Sequence, residues 1–323
     1  MNHSETGQIG VVDRVPLGVA APVVVAVPNV AEGRDERVIG DLADAIARPG
    51  VRIMDVHSDV DHNRTVFSVA GHPLALQDAM VDLAAASMDR IDVRRLRGVH
   101  PTVGALDVVP IVAREPDEMP LAVELAAGIA QRIGDELLIP VFRYGQIATN
   151  PARRRPHDFR GGGAEGLAAR IDDGTFVPDD GPTRMHATAG AVLVGARDPL
   201  IALNVWLAEG GLEHARAIAA RVRESGGGLP GLRALGLYLP SAGAAQVSMN
   251  LEDFRRTPPA LAIAAVRREA ERLGVQAGES ELVGLIPRAA VLGVSPASLG
   301  LRGFRPGQIL EAQLPRPSVT PHP

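Results

Sequence analysis

The chain has 323 residues, 46% of them hydrophobic but only 3% aromatic, with a net charge of −5 and no cysteine. That length is a soft sign of two domains, whose cores must be built from Val, Leu, Ile and Ala. The absence of a long basic block argues against nucleic acid as a partner, and the absence of thiols excludes disulfides, thiolate catalysis and cysteine zinc sites.

In chain order, residues 1–22 read as a disordered extension. The apolar stretch 15–28 follows two acids and a single arginine and is broken by Pro16, Pro22 and Pro28, which does not suit a signal peptide. No 18-residue apolar run occurs elsewhere, so a soluble cytoplasmic protein without a membrane partner is expected. Residues 23–27 are β-branched and predict a strand closed by Pro28-Asn29. A helix is expected over 35–47, with Ile39, Leu42, Ala43 and Ile46 at helical spacing. Strands follow over 51–56 and 64–70, separated by the polar loop 57–63. Pro73 opens a helix to about residue 91, with Leu76, Met80, Leu83 and Ser87 on one stripe, and a strand is expected over 105–112.

This βαββαβ order is the ferredoxin-like split unit. A helix over 117–135 and a strand over 138–144 should extend the sheet. Periodicity then stops, and residues 146–189, with Arg153-Arg154-Arg155 and Arg160-Gly161-Gly162-Gly163, read as the crossing between domains. Strands over 191–194 and 200–206, a helix over 212–224, strands over 233–239 and 245–251, a helix over 259–273 and a strand near 280–286 follow. They form a second βαββαβ set with one strand added in front. The expected class is α+β, two ferredoxin-like α/β sandwich subdomains over 23–180 and 181–301, with a disordered tail over 302–323.

The stretch RGVHPTVGALDVVP (97–110) concentrates the chemistry. Pro101 fixes the backbone beside His100, and Gly104 allows close backbone approach. Leu106, Val108 and Val109 read as a buried strand that holds Asp107. A loop beside a rigid element is where catalytic side chains concentrate, and a histidine can take or give a proton near neutrality. A turn histidine that caps a strand is the other reading. Asn63 and Arg64 suit either a substrate carboxylate or a turn-fixing pair. His57, Asp59, Asp61 and His62 offer zinc or manganese mixed ligands, yet four within six residues of one loop is poor geometry for a closed site, and no metal is expected.

Seven segments in order resemble the formiminotransferase domain family over residues 24–292. They include VPNVAEGRDERVI (27–39), DVDHNRTVFSVAG (59–71), HPTVGALDVVP (100–110), DDGPTRMHATAGAVLVGAR (179–197) and ESELVGLIP (279–287). The resemblance implies two α/β subdomains with folate in a groove between them, usually as a homodimer. It implies transfer of a formimidoyl group from N-formimidoyl-L-glutamate to N5 of tetrahydrofolate, a co-substrate, within one-carbon metabolism and histidine catabolism. The family's second activity, cyclodeamination, belongs to a separate helical domain for which this chain has no room, so a monofunctional protein is expected.

His100 matches the family's catalytic histidine, which implies general acid/base work, and Asp107 is the candidate carboxylate beside a cationic amidine, a strand acid bonded to backbone being its other reading. Residues 181–190 match the folate-contacting segment. Gly181, Pro182, Thr183, His186, Thr188, Ala189 and Gly190 are therefore expected at the folate, with Asn63 and Arg64 toward a carboxylate. Where the family reads EHPRMGALDV, this chain has Val99, Thr102 and Val103, and His57 stands where an acid is more usual. Arg143, inside an apolar strand, is expected to hold a substrate carboxylate in place of the arginine missing at position 102, with an edge strand that leaves Arg143 in solvent as the other reading. The arginines at 153–155 and 160 read as solvated, with a folate glutamate tail as the alternative partner. A folate-binding paralogue with an altered donor or no catalysis is the second reading of the whole chain.

Overall fold

The computed structural model describes residues 22–315. All but the last residue of the expected N-terminal extension, and residues 316–323 of the expected tail, lie outside the described residues. Contacts divide the chain after Arg197 rather than after residue 180.

In the first unit, β1 (Val24–Ala26) and β2 (Asn29–Val30) are one strand notched at Pro28, which has no N–H for the ladder. The strand therefore resumes beyond the proline instead of closing there. Then come α1 (Glu36–Ile46), β3 (Val51–Asp59), β4 (Arg64–Gly71), α2 (Pro73–Arg90) and β5 (Leu106–Val112). Asp35 caps α1 through the N–H groups of Arg37 and Val38, and Pro73 occupies the first turn of α2. The strands pair antiparallel in the order β3, β4, β1 with β2, β5, as the ferredoxin-like reading expects. Strand β3 runs to Asp59, so only 60–63 remain as the turn.

The chain continues through α3 (Met119–Leu137), β6 (Val141–Gly145), α4 (Pro156–Phe159), α5 (Gly163–Asp172) and β7 (Val192–Arg197). Strand β7 lies parallel between β5 and β6, with Leu193 opposite both Val108 and Phe142. The strand expected to lead the second domain therefore belongs to the first sheet. A buried apolar run reads the same in either sheet, and only its long-range pairing assigns it.

Helices α1, α2 and α3 cover one face of this sheet, where Leu42, Phe67, Leu76, Met80 and Ile129 are fully buried. The opposite face carries a smaller apolar cluster of Phe142, Tyr144, Phe159, Leu167, Ile171 and Leu193. The Phe142 and Phe159 rings lie 5.2 Å apart. Residues 146–189 are thus no structureless crossing. Their short helices pack against the sheet by Phe159 and Leu167, too few apolar positions to show a period in sequence. Within them, Arg153 and Arg170 lie over the Phe176 ring at 4.7 and 4.4 Å.

The second unit, within residues 198–314, is β8 (Ile201–Leu207), α6 (Leu212–Val222), β9 (Leu232–Leu239), β10 (Ala244–Leu251), α7 (Pro259–Arg272) and β11 (Ala277–Val283). Its antiparallel sheet runs β11-β8-β10-β9, a second ferredoxin-like unit over a core that includes Leu203, Val205, Ile218, Val247 and Val266. Residues 302–314, expected to be disordered, are ordered. Leu310 donates its N–H to Ile286 O at 2.9 Å, α8 (Leu310–Gln313) follows, and Leu310 and Leu314 are buried. Pro-rich composition hid the few apolar side chains that anchor this segment. Among the described residues no helix is long and apolar enough to cross a membrane.

Candidate active site

The site begins with a kink in β5. Val30 pairs with Leu106 but Asn29 pairs with Val108, so Asp107 is an extra residue, a β-bulge. Val109, Ile111 and Ala113 pack under α1–α3, and strict alternation would send Asp107 there too. The bulge instead turns it to the face of Val108 and Phe142, the re-aiming for which bulges recur beside functional sites. Asp107 is fully buried. Its Oδ1 accepts the N–H of Val103 at 2.8 Å, while Oδ2 accepts from Arg64 Nη1 at 2.7 Å and from Arg160 Nη2.

Each arginine is positioned by the fold. Arg64 opens β4 on the side opposite Phe67 and Val69, and its Nε donates to Asn29 Oδ1 at 2.9 Å. Arg160 directly follows the buried Phe159, which anchors α4 in the smaller apolar cluster. Burial alone would push the Asp107 carboxyl up, but Arg160, Arg64 and the Val103 N–H together hold it well below the usual carboxylate range. Burial draws Arg64 down from the ordinary arginine value, Asp107 opposes this, and Arg160 adds to it. Two guanidiniums against one carboxylate leave a surplus positive charge.

His100 sits on the loop before β5, pressed against the turn between β3 and β4. The Val99 N–H donates to Asp61 O at 2.9 Å, and a Cβ on Gly98 would collide with His62 O. In that turn, Asp59 Oδ1 accepts the N–H groups of Asp61 and His62, and Asn63 adopts a left-handed φ of 47°. His100 and His62 stack with ring centroids 6.0 Å apart and planes at 23°. Burial, then the charges of Arg64 and Arg160, hold the His100 imidazole well below its ordinary 6.5, against the pull of Asp107. It is therefore neutral at neutral pH. His100 Nδ1 and His62 Nε2 are both buried without a hydrogen-bond partner. A small pocket opens here, lined by His62, Asn63, Arg64, His100 and Thr102 among others.

The structure thus gathers His100, Asp107, Arg64 and Asn63. Asn63 serves the turn, its Oδ1 accepting from Gly33 N at 3.1 Å. Arg143 requires correction: its fork holds Asp180, Nε to Oδ2 at 2.7 Å and Nη2 to Oδ1 at 2.6 Å. The anionic partner that a strand arginine demands is thus a side chain of this protein, 37 residues away. Thr102 donates its hydroxyl to Gly104 O at 3.1 Å.

The 181–190 segment lies against the His100 loop by backbone rather than side chains. Gly104 bridges Gly190, whose φ is +74°, and Ala189 O accepts from Ala105 N at 2.8 Å. His186 Nδ1 accepts from Ala189 N at 3.0 Å, which closes its own turn, and Thr188 O accepts from Val93 N. Gly181, at φ +77°, packs on Gly134 of α3, and Pro182 and Thr183 follow in the bend beyond it. Sequence reasoning missed Asn29, and it left Arg160 in solvent or on a folate tail rather than on Asp107. The buried Phe159 beside Arg160 was the available signal. Among the described residues no group of three His, Asp or Glu side chains is disposed to hold a metal ion.

Residues 23–197 match the formiminotransferase domain, N-terminal subdomain, and residues 202–297 match the formiminotransferase domain. A glutamate formimidoyltransferase from Streptococcus pyogenes is 37% identical, over 91% of this chain and 99% of that protein. One from Thermoplasma acidophilum is 39% identical, over 90% and 97%. The formimidoyltransferase-cyclodeaminase of Rattus norvegicus is 36% identical over 84% of this chain, which spans 51% of that longer protein.

Proposed function

Because the chain belongs to the formiminotransferase domain family, we propose that it transfers a formimidoyl group from N-formimidoyl-L-glutamate to N5 of tetrahydrofolate, releasing glutamate. The protein is a formimidoyl transferase. Tetrahydrofolate, when bound, supplies the nucleophilic N5 amine. The residues fit such a co-substrate: an amine that must lose a proton needs a neutral base, and His100 is neutral with a buried, unpartnered Nδ1.

That histidine, next to a carboxylate pinned by two arginines, is the observation that carries the reading. His100 takes the proton from the attacking amine. Asp107 orders Arg64, Arg160 and the Val103 N–H around His100 and favours the imidazolium as it forms. The surplus guanidinium charge of Arg64 and Arg160 suits a carboxylate of the donor. Residues 181–190 flank the folate side of the same loop, held there by the Gly104 and Gly190 contact. A homodimer in the cytoplasm completes the proposal.

The test is one assay with formimidoylglutamate and tetrahydrofolate, followed by absorbance and product mass. Equal amounts of 5-formimidoyltetrahydrofolate and glutamate are expected. Tight folate binding without product formation would instead favour a folate-binding paralogue.

A further inference from the structure

We propose that His62 is a second catalytic residue of this transfer, the acid that works opposite His100 as base. The proposal rests on the function given above and adds a residue to it. The reaction moves two protons in opposite directions. As the bond from N5 to the amidine carbon forms, N5 gives its proton to His100. As the bond from that carbon to the glutamate nitrogen breaks, that nitrogen must receive a proton. His62 delivers it from its ring. Proton exchange with water restores both rings, so atoms and charge balance.

Among the described side chains that line the pocket, no other suits this second step as an acid. Of the polar side chains lining it, Asn63 uses its oxygen on Gly33 N, Thr102 donates to Gly104 O, and a guanidinium such as Arg64 keeps its protons at these pH values. Asp107 is ionised and carries no proton. His62 remains, with Nε2 buried and unpartnered and its ring stacked 6.0 Å from that of His100. Its backbone is fixed by the Asp59 carboxylate at its N–H and by Gly98 at its carbonyl. The titratable and charged groups here are Asp59, Asp61 and Arg64 on its own hairpin and His100 on the facing loop, with Arg160 and Asp107 acting on the same His100 ring. From the loop before α1, Arg34 donates to Val60 O. A charge on His62 in turn lowers His100.

The experiment compares the unaltered enzyme with His62→Gln and His100→Ala, reading kcat for formimidoylglutamate from pH 5 to 9, tetrahydrofolate affinity by calorimetry, and histidine titrations by NMR without substrate. His62→Gln is expected to bind tetrahydrofolate normally and to lower kcat roughly 100-fold, the usual worth of a general acid. It is also expected to lose the alkaline descending limb, and to move the His100 titration to higher pH. If kcat stays within about threefold with both limbs intact, or His100 titrates unchanged, His62 is structural and the proposal fails. His62→Asn repeats the comparison should the glutamine variant not fold. Absence of turnover by the unaltered enzyme refutes the function itself and this proposal with it. Turnover that His62→Gln leaves untouched refutes the proposal alone.

Discussion

Arg160 reaches across 53 residues of chain to donate to the same Oδ2 of Asp107 that Arg64 already occupies. The second arginine does more than secure the carboxylate. Its charge helps keep the neighbouring His100 neutral, so Arg160→Gln should raise the His100 pKa toward its ordinary 6.5. The ascending limb of kcat/KM against pH then moves to higher pH, and kcat/KM at pH 7 falls roughly 10- to 100-fold through the lost charged hydrogen bond. Arg160→Lys should restore the position of the limb more fully than the rate. An unmoved limb in Arg160→Gln would falsify this electrostatic coupling.

His100→Ala should keep the fold and the tetrahydrofolate affinity while lowering kcat about 100-fold or more. Calorimetry and steady-state rates on the same preparation decide the matter. Unchanged turnover would make His100 a structural loop residue.

Acid should destabilise the first unit in two stages. His100 and Asp107 both have folded pKa values below their unfolded ones, 6.5 and 3.8. As pH falls through each unfolded value, the unfolded chain takes up a proton that the folded chain refuses. Stability is therefore full above about pH 7, declines as pH drops below about 6.5, and declines again below about 4. Urea midpoints measured from pH 8 to 3 report this, and a flat profile contradicts it. Asp107→Asn, which leaves two guanidiniums facing no anion, should cost about 3–5 kcal/mol at pH 7.

Arg143→Leu should leave kcat/KM for formimidoylglutamate within about threefold, since its fork belongs to Asp180. Stability should fall by about 1 kcal/mol for this partly exposed pair, and the Arg143→Leu, Asp180→Leu double variant should recover part of the loss. A fall in kcat/KM for formimidoylglutamate with no loss of stability would return Arg143 to the substrate.

Gly190→Ala should be severe. The residue has φ +74°, and an added Cβ would strike Val103 O, whose residue donates to Asp107. A loss of roughly 2–4 kcal/mol is expected, together with a lower kcat because the His100 loop is displaced. A melting temperature equal to that of the unaltered protein would refute the close contact.

The sequence by itself determined the two βαββαβ units, because β-branched runs and the spacing of Ile39, Leu42 and Ile46 are local signals tied to local periods. It also determined that His100 stands on a loop beside a buried strand, because Pro101 and Gly104 constrain the backbone within a few residues. Tertiary structure alone decided where 192–197 pairs, since an apolar strand is compatible with either sheet until a long-range partner claims it. It alone decided that residues 302–314 pack, and that Asp107 faces away from α1–α3 through one extra residue in β5. The same holds for the arginines. Sequence reasoning offered Arg143 to a substrate and left Arg160 in solvent, whereas the fold joins Arg143 to Asp180 and Arg160 to Asp107. A charge shows in sequence only its need for a partner. Which carboxylate answers it depends on strands and helices meeting across tens of residues, and that meeting is settled by packing of apolar faces that contain none of the charges.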